Sequence, residues 1–188
     1  GAAMRQGANY LQSGQLDLAA RHLQVLLQGN PNDPQAMQLL GVVYSEQGEH
    51  ARALELLRGA VGLAPDFTEA LHNLGLVLIS MAEFDEAAAA LRKVIEVEPG
   101  AADAWLNLGN AERGMGRFDE AAKAFAKAAK LAPKNPTAAL NQALLMKEMV
   151  QLDKALVLFD KLVARFPDHA AAHDGRGVCL VDMGRAGE

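Results

Sequence analysis

The chain is poor in the residues that carry covalent bracing or chemistry. Cys179 is the single cysteine in 188 residues, so no disulfide can close within the chain. Only 5% of the residues are aromatic. No apolar run reaches the ~18–20 residues needed to span a bilayer, and membrane insertion is not expected. Positive charge is not in excess either. Eighteen Lys and Arg stand against 23 Asp and Glu, and the net charge is −5. Nucleic-acid binding needs a basic footprint and is not expected here. The longest basic stripe, Lys123, Lys127, Lys130 and Lys134, reads as the solvated face of one helix. There is no GxxxxGK[ST] loop, and no strand that could carry a dinucleotide fingerprint.

What is present is Ala and Leu, both strong helix formers, and a period. Residues 72–91, HNLGLVLISMAEFDEAAAAL, return as residues 106–125, LNLGNAERGMGRFDEAAKAF, 34 positions later. Pro31, Pro65, Pro99, Pro133 and Pro167 keep that spacing. So do Ala19, Ala53, Ala87, Ala121 and Ala155. Gly7, Gly41, Gly75, Gly109, Ala143 and Gly177 form a third series, and Leu23, Leu57, Leu91, Phe125 and Phe159 a fourth. Five windows follow without insertion, 1–33, 34–67, 68–101, 102–135 and 136–169, with a partial sixth from 170 to 188.

Each window reads as two helices. Leu71, Leu74 and Leu78 lie on one helical face, and Leu91, Val94 and Ile95 mark a second helix after Ala87 and Ala88. A tight turn joins them, with Gly14, Gly48, Gly116 or Gly184 where a left-handed residue is needed. Ala82 and Val150 break that series, so those two turns are expected to be built differently. Acidic pairs such as Asp85-Glu86 and Asp119-Glu120 suit the start of the second helix, and the proline stops it. Small residues such as Gly75 and Ala87 let two helices approach. One helix pair cannot bury its apolar face alone, whereas stacked pairs can.

The pattern resembles the tetratricopeptide repeat, whose signature is Trp-x2-Leu-Gly-x2-Tyr, then Ala-x3-Phe, then Pro. Trp105, Leu108, Gly109, Ala121, Phe125 and Pro133 carry it in the fourth window; Leu40, Gly41, Tyr44, Ala53, Leu57 and Pro65 carry it in the second. The resemblance covers essentially the whole chain. It implies an all-α fold: a right-handed α-solenoid of antiparallel helix pairs, five repeats plus the first helix of a sixth, in a single domain 1–188. It breaks at Glu112, where an aromatic or aliphatic residue is the rule, and at Gln6, Gln142 and Arg176, which replace the Leu before the Gly. Packing at those four positions is expected to depart from the family.

Catalytic constellations are lacking, so an enzyme is not expected, and neither is a cofactor. His169 and His173 are four apart but lack the intervening Glu of a zinc protease motif, so no metal is expected. Cys179, in the stretch VCLV, reads as a small core residue, and Met81, Met115, Met149 and Met183 as gap-fillers between repeats.

The resemblance implies a concave groove lined by the first helix of each window. Asn73, Asn107 and Asn141 share one position there, and a row of carboxamides can hold an extended peptide by its backbone. Such a ladder resembles the one in the tetratricopeptide arm of O-linked N-acetylglucosamine transferases. Asn110 and the apolar Leu76, Leu106, Leu140 and Leu144 complete the candidate peptide-binding set. Chaperone-binding members of the family grip a C-terminal carboxylate with Lys, Arg and Asn. Here Leu106, Ala171 and Gly175 fill the basic positions, so capture of such a tail is not expected. The main expectation is a scaffold that binds a peptide or helix of a partner protein. The alternatives are the substrate-recruiting arm of a larger glycosyltransferase, and a self-assembling array. The chain opens Gly-Ala-Ala-Met and stops where a further helix should begin, which points to a piece of a longer protein. Val178, Leu180 and Val181 of the last helix are then expected to lie uncovered and to mediate self-association.

Overall fold

The computed structural model describes residues 2–185. Eleven α-helices and no strand occur among them. They are α1 (Ala2–Gln12), α2 (Leu16–Gly29), α3 (Pro34–Glu46), α4 (His50–Leu63), α5 (Thr68–Ser80), α6 (Phe84–Val97), α7 (Ala102–Gly114), α8 (Phe118–Leu131), α9 (Thr137–Glu148), α10 (Leu152–Arg165) and α11 (Ala170–Asp182). Expectations about the chain's ends fall partly on Gly1 and 186–188, which lie outside the described residues.

The helices fall in two compact units, Gly1–Pro99 and Gly100–Glu188. In the first, each helix packs on the next, and α3 also touches α1 and α5. In the second, α7 to α11 pack in succession, and α9 also touches α11. The core of each unit is the periodic set read from the sequence. Ala19, Ala53, Ala87, Leu23, Leu57 and Leu91 are fully buried in the first; Ala121, Ala155, Phe125 and Phe159 are fully buried in the second. Burying one such Leu or Phe contributes about 1.5–3 kcal/mol.

The inter-helix turns are alike where the sequence suggested that they differ. Gly14, Gly48, Gly116 and Gly184 take φ of 69–79°, and Ala82 and Val150 take 60° and 59°. The closing bonds also match. Gly48 N donates to Ser45 O at 3.0 Å and Glu49 N to Tyr44 O at 2.8 Å; Val150 N donates to Lys147 O and Gln151 N to Met146 O, both at 2.9 Å. The expectation of a different turn at Ala82 and Val150 is therefore corrected. Repeat geometry imposes the left-handed conformation even on a β-branched residue, at a cost in strain.

The glycine series needs one correction. A Cβ on Gly7, Gly41 or Gly75 would stand 2.8 Å from Leu23, Leu57 or Leu91, and one on Gly109 would stand 2.5 Å from Phe125. Gly177 continues the period but meets no described atom within 4 Å; Gly175 takes up the contact instead, its Cβ position 2.3 Å from Phe159. The reason is that the four earlier glycines each face the second helix of their own pair, whereas among the described residues α11 packs against the pair before it.

The four positions where the signature breaks are accommodated in different ways. Gln6 is exposed and Gln142 half-buried. Arg176 Nε donates to Asp160 Oδ1 at 2.6 Å. Glu112 is 2% exposed, with Arg117 Nη1 3.6 Å from its Oε2. In α3 the equivalent position is Tyr44. There Arg52 stacks on the ring at 3.8 Å, and Gln24 and Arg52 donate to the hydroxyl.

Candidate functional site

In the first unit the first-helix face is formed by α3 and α5. The two helices and Leu57 of α4 enclose a hollow of about 250 Å³, lined by Val42, Ser45, Glu46, Asn73, Leu76 and Val77 besides Leu57. Two expected site residues, Asn73 and Leu76, thus come together. Leu76 is 42% exposed, more than a core residue requires, whereas Leu57 and Val77 are buried and form the floor. Asn73 is half-buried and lines the hollow together with Leu57.

In the second unit the same face is formed by α7 and α9. Asn110 Nδ2 donates to Asn107 Oδ1 at 3.5 Å, and Asn141 Nδ2 donates to Asn110 Oδ1 at 3.3 Å. The three asparagines form one chain of carboxamides across two helices. Each such bond polarises the next. Asn107 and Asn141, two of the three expected rungs, are thus joined through Asn110 into one network, and Asn73 lies in the first unit. A carboxamide has four hydrogen-bonding sites, so this pairing occupies only part of the capacity of Asn110 and Asn141.

Leu106, Leu140 and Leu144 are half-buried and pack against the core around Phe125, Leu145 and Phe159. They serve packing first, and differ in this from Leu76. The basic residues on this face are engaged as well. Arg113 Nε donates to Glu148 Oε2 at 2.7 Å, and Lys147 Nζ lies 3.9 Å from Asp182 Oδ2.

The other residues singled out by sequence have structural roles. His169 caps α11, its Nδ1 accepting from Ala172 N at 3.2 Å, and His173 Nε2 bonds to the carbonyl of Pro167 at 2.6 Å. The two rings serve different local bonds. No group of three or more His, Cys, Asp or Glu residues suited to a metal occurs among the described residues. Cys179 is buried and donates to Leu152 O at 3.3 Å, and burial pushes its thiol pKa up, with Asp182 adding to the effect. Met81, Met115, Met149 and Met183 each follow the last residue of a first helix; Met149 and Met183 pack against the core. In α11, Val178 and Val181 are 45% and 62% exposed, but Leu180 is 4% exposed. The expectation that Leu180 lies uncovered is corrected: it points into the core of the second unit.

Sequence reasoning missed two features. Ser45 belongs to the hollow beside Glu46, an acidic residue that the sequence already placed on the groove face; the spacing of Ser45 from Val42 on one helix could have shown it. On α9 and α10, a second hollow of about 400 Å³ is lined by Gln142, Met146, Asp153, Lys154, Val157 and Leu158, with Val157 51% exposed. The only signal for it was Val157, a large apolar residue where the other windows carry the charged Arg21, Glu55 and Lys123 or the small Ala89.

Models of the tetratricopeptide repeat match residues 10–75, 72–136 and 112–179. The chain belongs to the tetratricopeptide repeat family, and its helix pairs are those of the family's all-α solenoid fold. No curated protein sequence matches it. Among solved structures, a crystal structure of MamA is 27% identical with a TM-score of 0.80, covering 87% of this chain and 96% of that one. MamA from residue 41 to the end, from Desulfovibrio magneticus RS-1, is 22% identical with a TM-score of 0.82, over 90% of this chain and 98% of that one. YrrB, described as a TPR protein with an unusual peptide-binding site, is 21% identical with a TM-score of 0.80, over 93% and 90%. At these identities the last two speak to the fold alone.

Proposed function

We propose that the chain is a non-catalytic binding module that holds a peptide or helix of a partner protein against its first helices. The observation that carries this is the α3–α5 hollow, where the exposed Leu76 and the carboxamide of Asn73 share one cavity. Apolar surface beside fixed donors and acceptors suits a peptide, which offers side chains and backbone groups together. The carboxamide chain Asn107–Asn110–Asn141 gives the second unit a polar counterpart. The peptide-binding site named for YrrB agrees with this reading of the fold.

A peptide-array screen tests it, with wild type, Leu76→Glu and Asn141→Ala. Leu76→Glu is expected to lose peptides held by the first unit, and Asn141→Ala those held by the second, both with unchanged helicity. An array pattern indifferent to both substitutions would contradict the proposal. Leu106→Glu is a poorer probe, because Leu106 also packs against the core.

A further inference from the structure

The first-helix faces of the two units use charge differently. In the second unit, α7 carries Arg113 and α9 carries Lys147 in the last turn, where a cation offsets the negative end of the helix dipole, while α11 has no basic residue there. Both are paired with acids, Glu148 and Asp182. In the first unit, α1, α3 and α5 have no basic residue in the last turn. Glu46 instead ends α3, exposed, adding a full negative charge where the dipole already disfavours one. Among the described residues it takes part in no ion pair or side-chain hydrogen bond. It is also the only charged residue lining the 250 Å³ hollow.

That volume lies below the roughly 300–1,000 Å³ of small-molecule sites, and suits a protruding side chain better than a free ligand. Its floor and one wall, Leu57, Val77 and Leu76, are aliphatic. The rim is therefore anionic and the interior apolar.

We propose that the first unit's hollow recognises a partner segment in which an apolar residue is followed by Lys or Arg. The apolar side chain fills the cavity against Leu57, Leu76 and Val77. The cation meets Glu46 at the negative end of the α3 dipole. The Asn73 carboxamide bonds to the segment's backbone. This specificity rests on the peptide-binding reading of the first-helix face.

The test is an amide NMR titration of the whole chain with three blocked decapeptides: Gly-Ser-Gly-Ser-Leu-Arg-Ser-Gly-Ser-Gly, the same peptide with Leu-Glu, and the same with Ser-Arg. The Leu-Arg peptide is expected to shift the amides of Val42, Ser45, Glu46, Asn73, Leu76 and Val77. It should bind about two- to five-fold more tightly than the Leu-Glu peptide at low salt, as one exposed ion pair allows. Glu46→Lys, at an exposed helix end, should keep the fold and invert that preference. Equal affinity for Leu-Arg and Leu-Glu, or a preference that survives Glu46→Lys, would overturn the proposed specificity and leave the binding face standing. Shifts confined to second helices would count against both. Silence with all three peptides would also overturn the specificity, and the array then judges the face separately.

Discussion

Val150 is 77% exposed and holds φ at 59°, so its side chain gains little burial while its backbone occupies a region that suits glycine. The strain is about 1–2 kcal/mol, and the extra chain entropy that glycine brings to the unfolded state costs about 0.4–1 kcal/mol. Val150→Gly should thus stabilise the protein by about 0.5–1 kcal/mol, seen as a higher urea midpoint at unchanged slope. A lower midpoint would contradict this. Gly175 and Gly177 make a sharper pair. Gly175→Ala drives a methyl into the ring of the fully buried Phe159 and should destabilise by about 1–3 kcal/mol. Gly177→Ala meets open space on a helix and should be neutral or stabilising by up to about 1 kcal/mol. Equal effects at the two sites would contradict the packing described. Sequence periodicity picks out Gly177 and passes over Gly175, because a period records which residue recurs and not which neighbour it meets. The turn at Val150 was hidden for the same reason: propensity points away from a left-handed valine, and the repeat overrides it.

Helix ends and pairs were far more legible. The second helices start at 16, 50, 84, 118 and 152, on the 34-residue ruler set by the prolines. What joins neighbouring elements is less so, because it depends on side-chain reach across a packed pair. Arg58 on α4 and Glu86 at the start of α6 are an example, with Arg58 Nε donating to Glu86 Oε1 at 3.0 Å and a second bond from Nη2 to Oε2. That bonding holds the Glu86 carboxyl below its ordinary pKa, although partial burial opposes it. A lowered carboxylate pKa contributes stability above the unfolded-state value and loses it as pH falls through the folded one. The pair is about half exposed, so its worth is about 0.2–1 kcal/mol. Glu86→Gln should therefore cost a few tenths of a kcal/mol at neutral pH. The gap to wild type should close as the pH falls below the ordinary glutamate range near 4.3. A gap that widened in acid would contradict the sign. The asparagines show the same limit of legibility. Their shared position was plain in the sequence, but the bonds among Asn107, Asn110 and Asn141 depend on how α7 and α9 sit together.

At the scale of the molecule, one period produces both the core and the candidate site. The residues that face inward in each window build the two cores, and those one turn away on the first helices build the hollow and the carboxamide chain. This division explains why Leu76 and Leu106, equally apolar in sequence, differ in use: Leu76 is 42% exposed in the wall of the hollow, and Leu106 packs partly against the core. His169, His173 and Cys179, singled out in the sequence for their chemistry, are tied into helix ends and the core. The central claim is that partners bind on the first helices. Amide hydrogen exchange, with and without the tightest peptide from the array, reads this directly. The account predicts added protection in α3 and α5 or in α7 and α9, with α4, α8 and α10 unchanged. Protection gained on the second helices, for instance beside Val157, would contradict it.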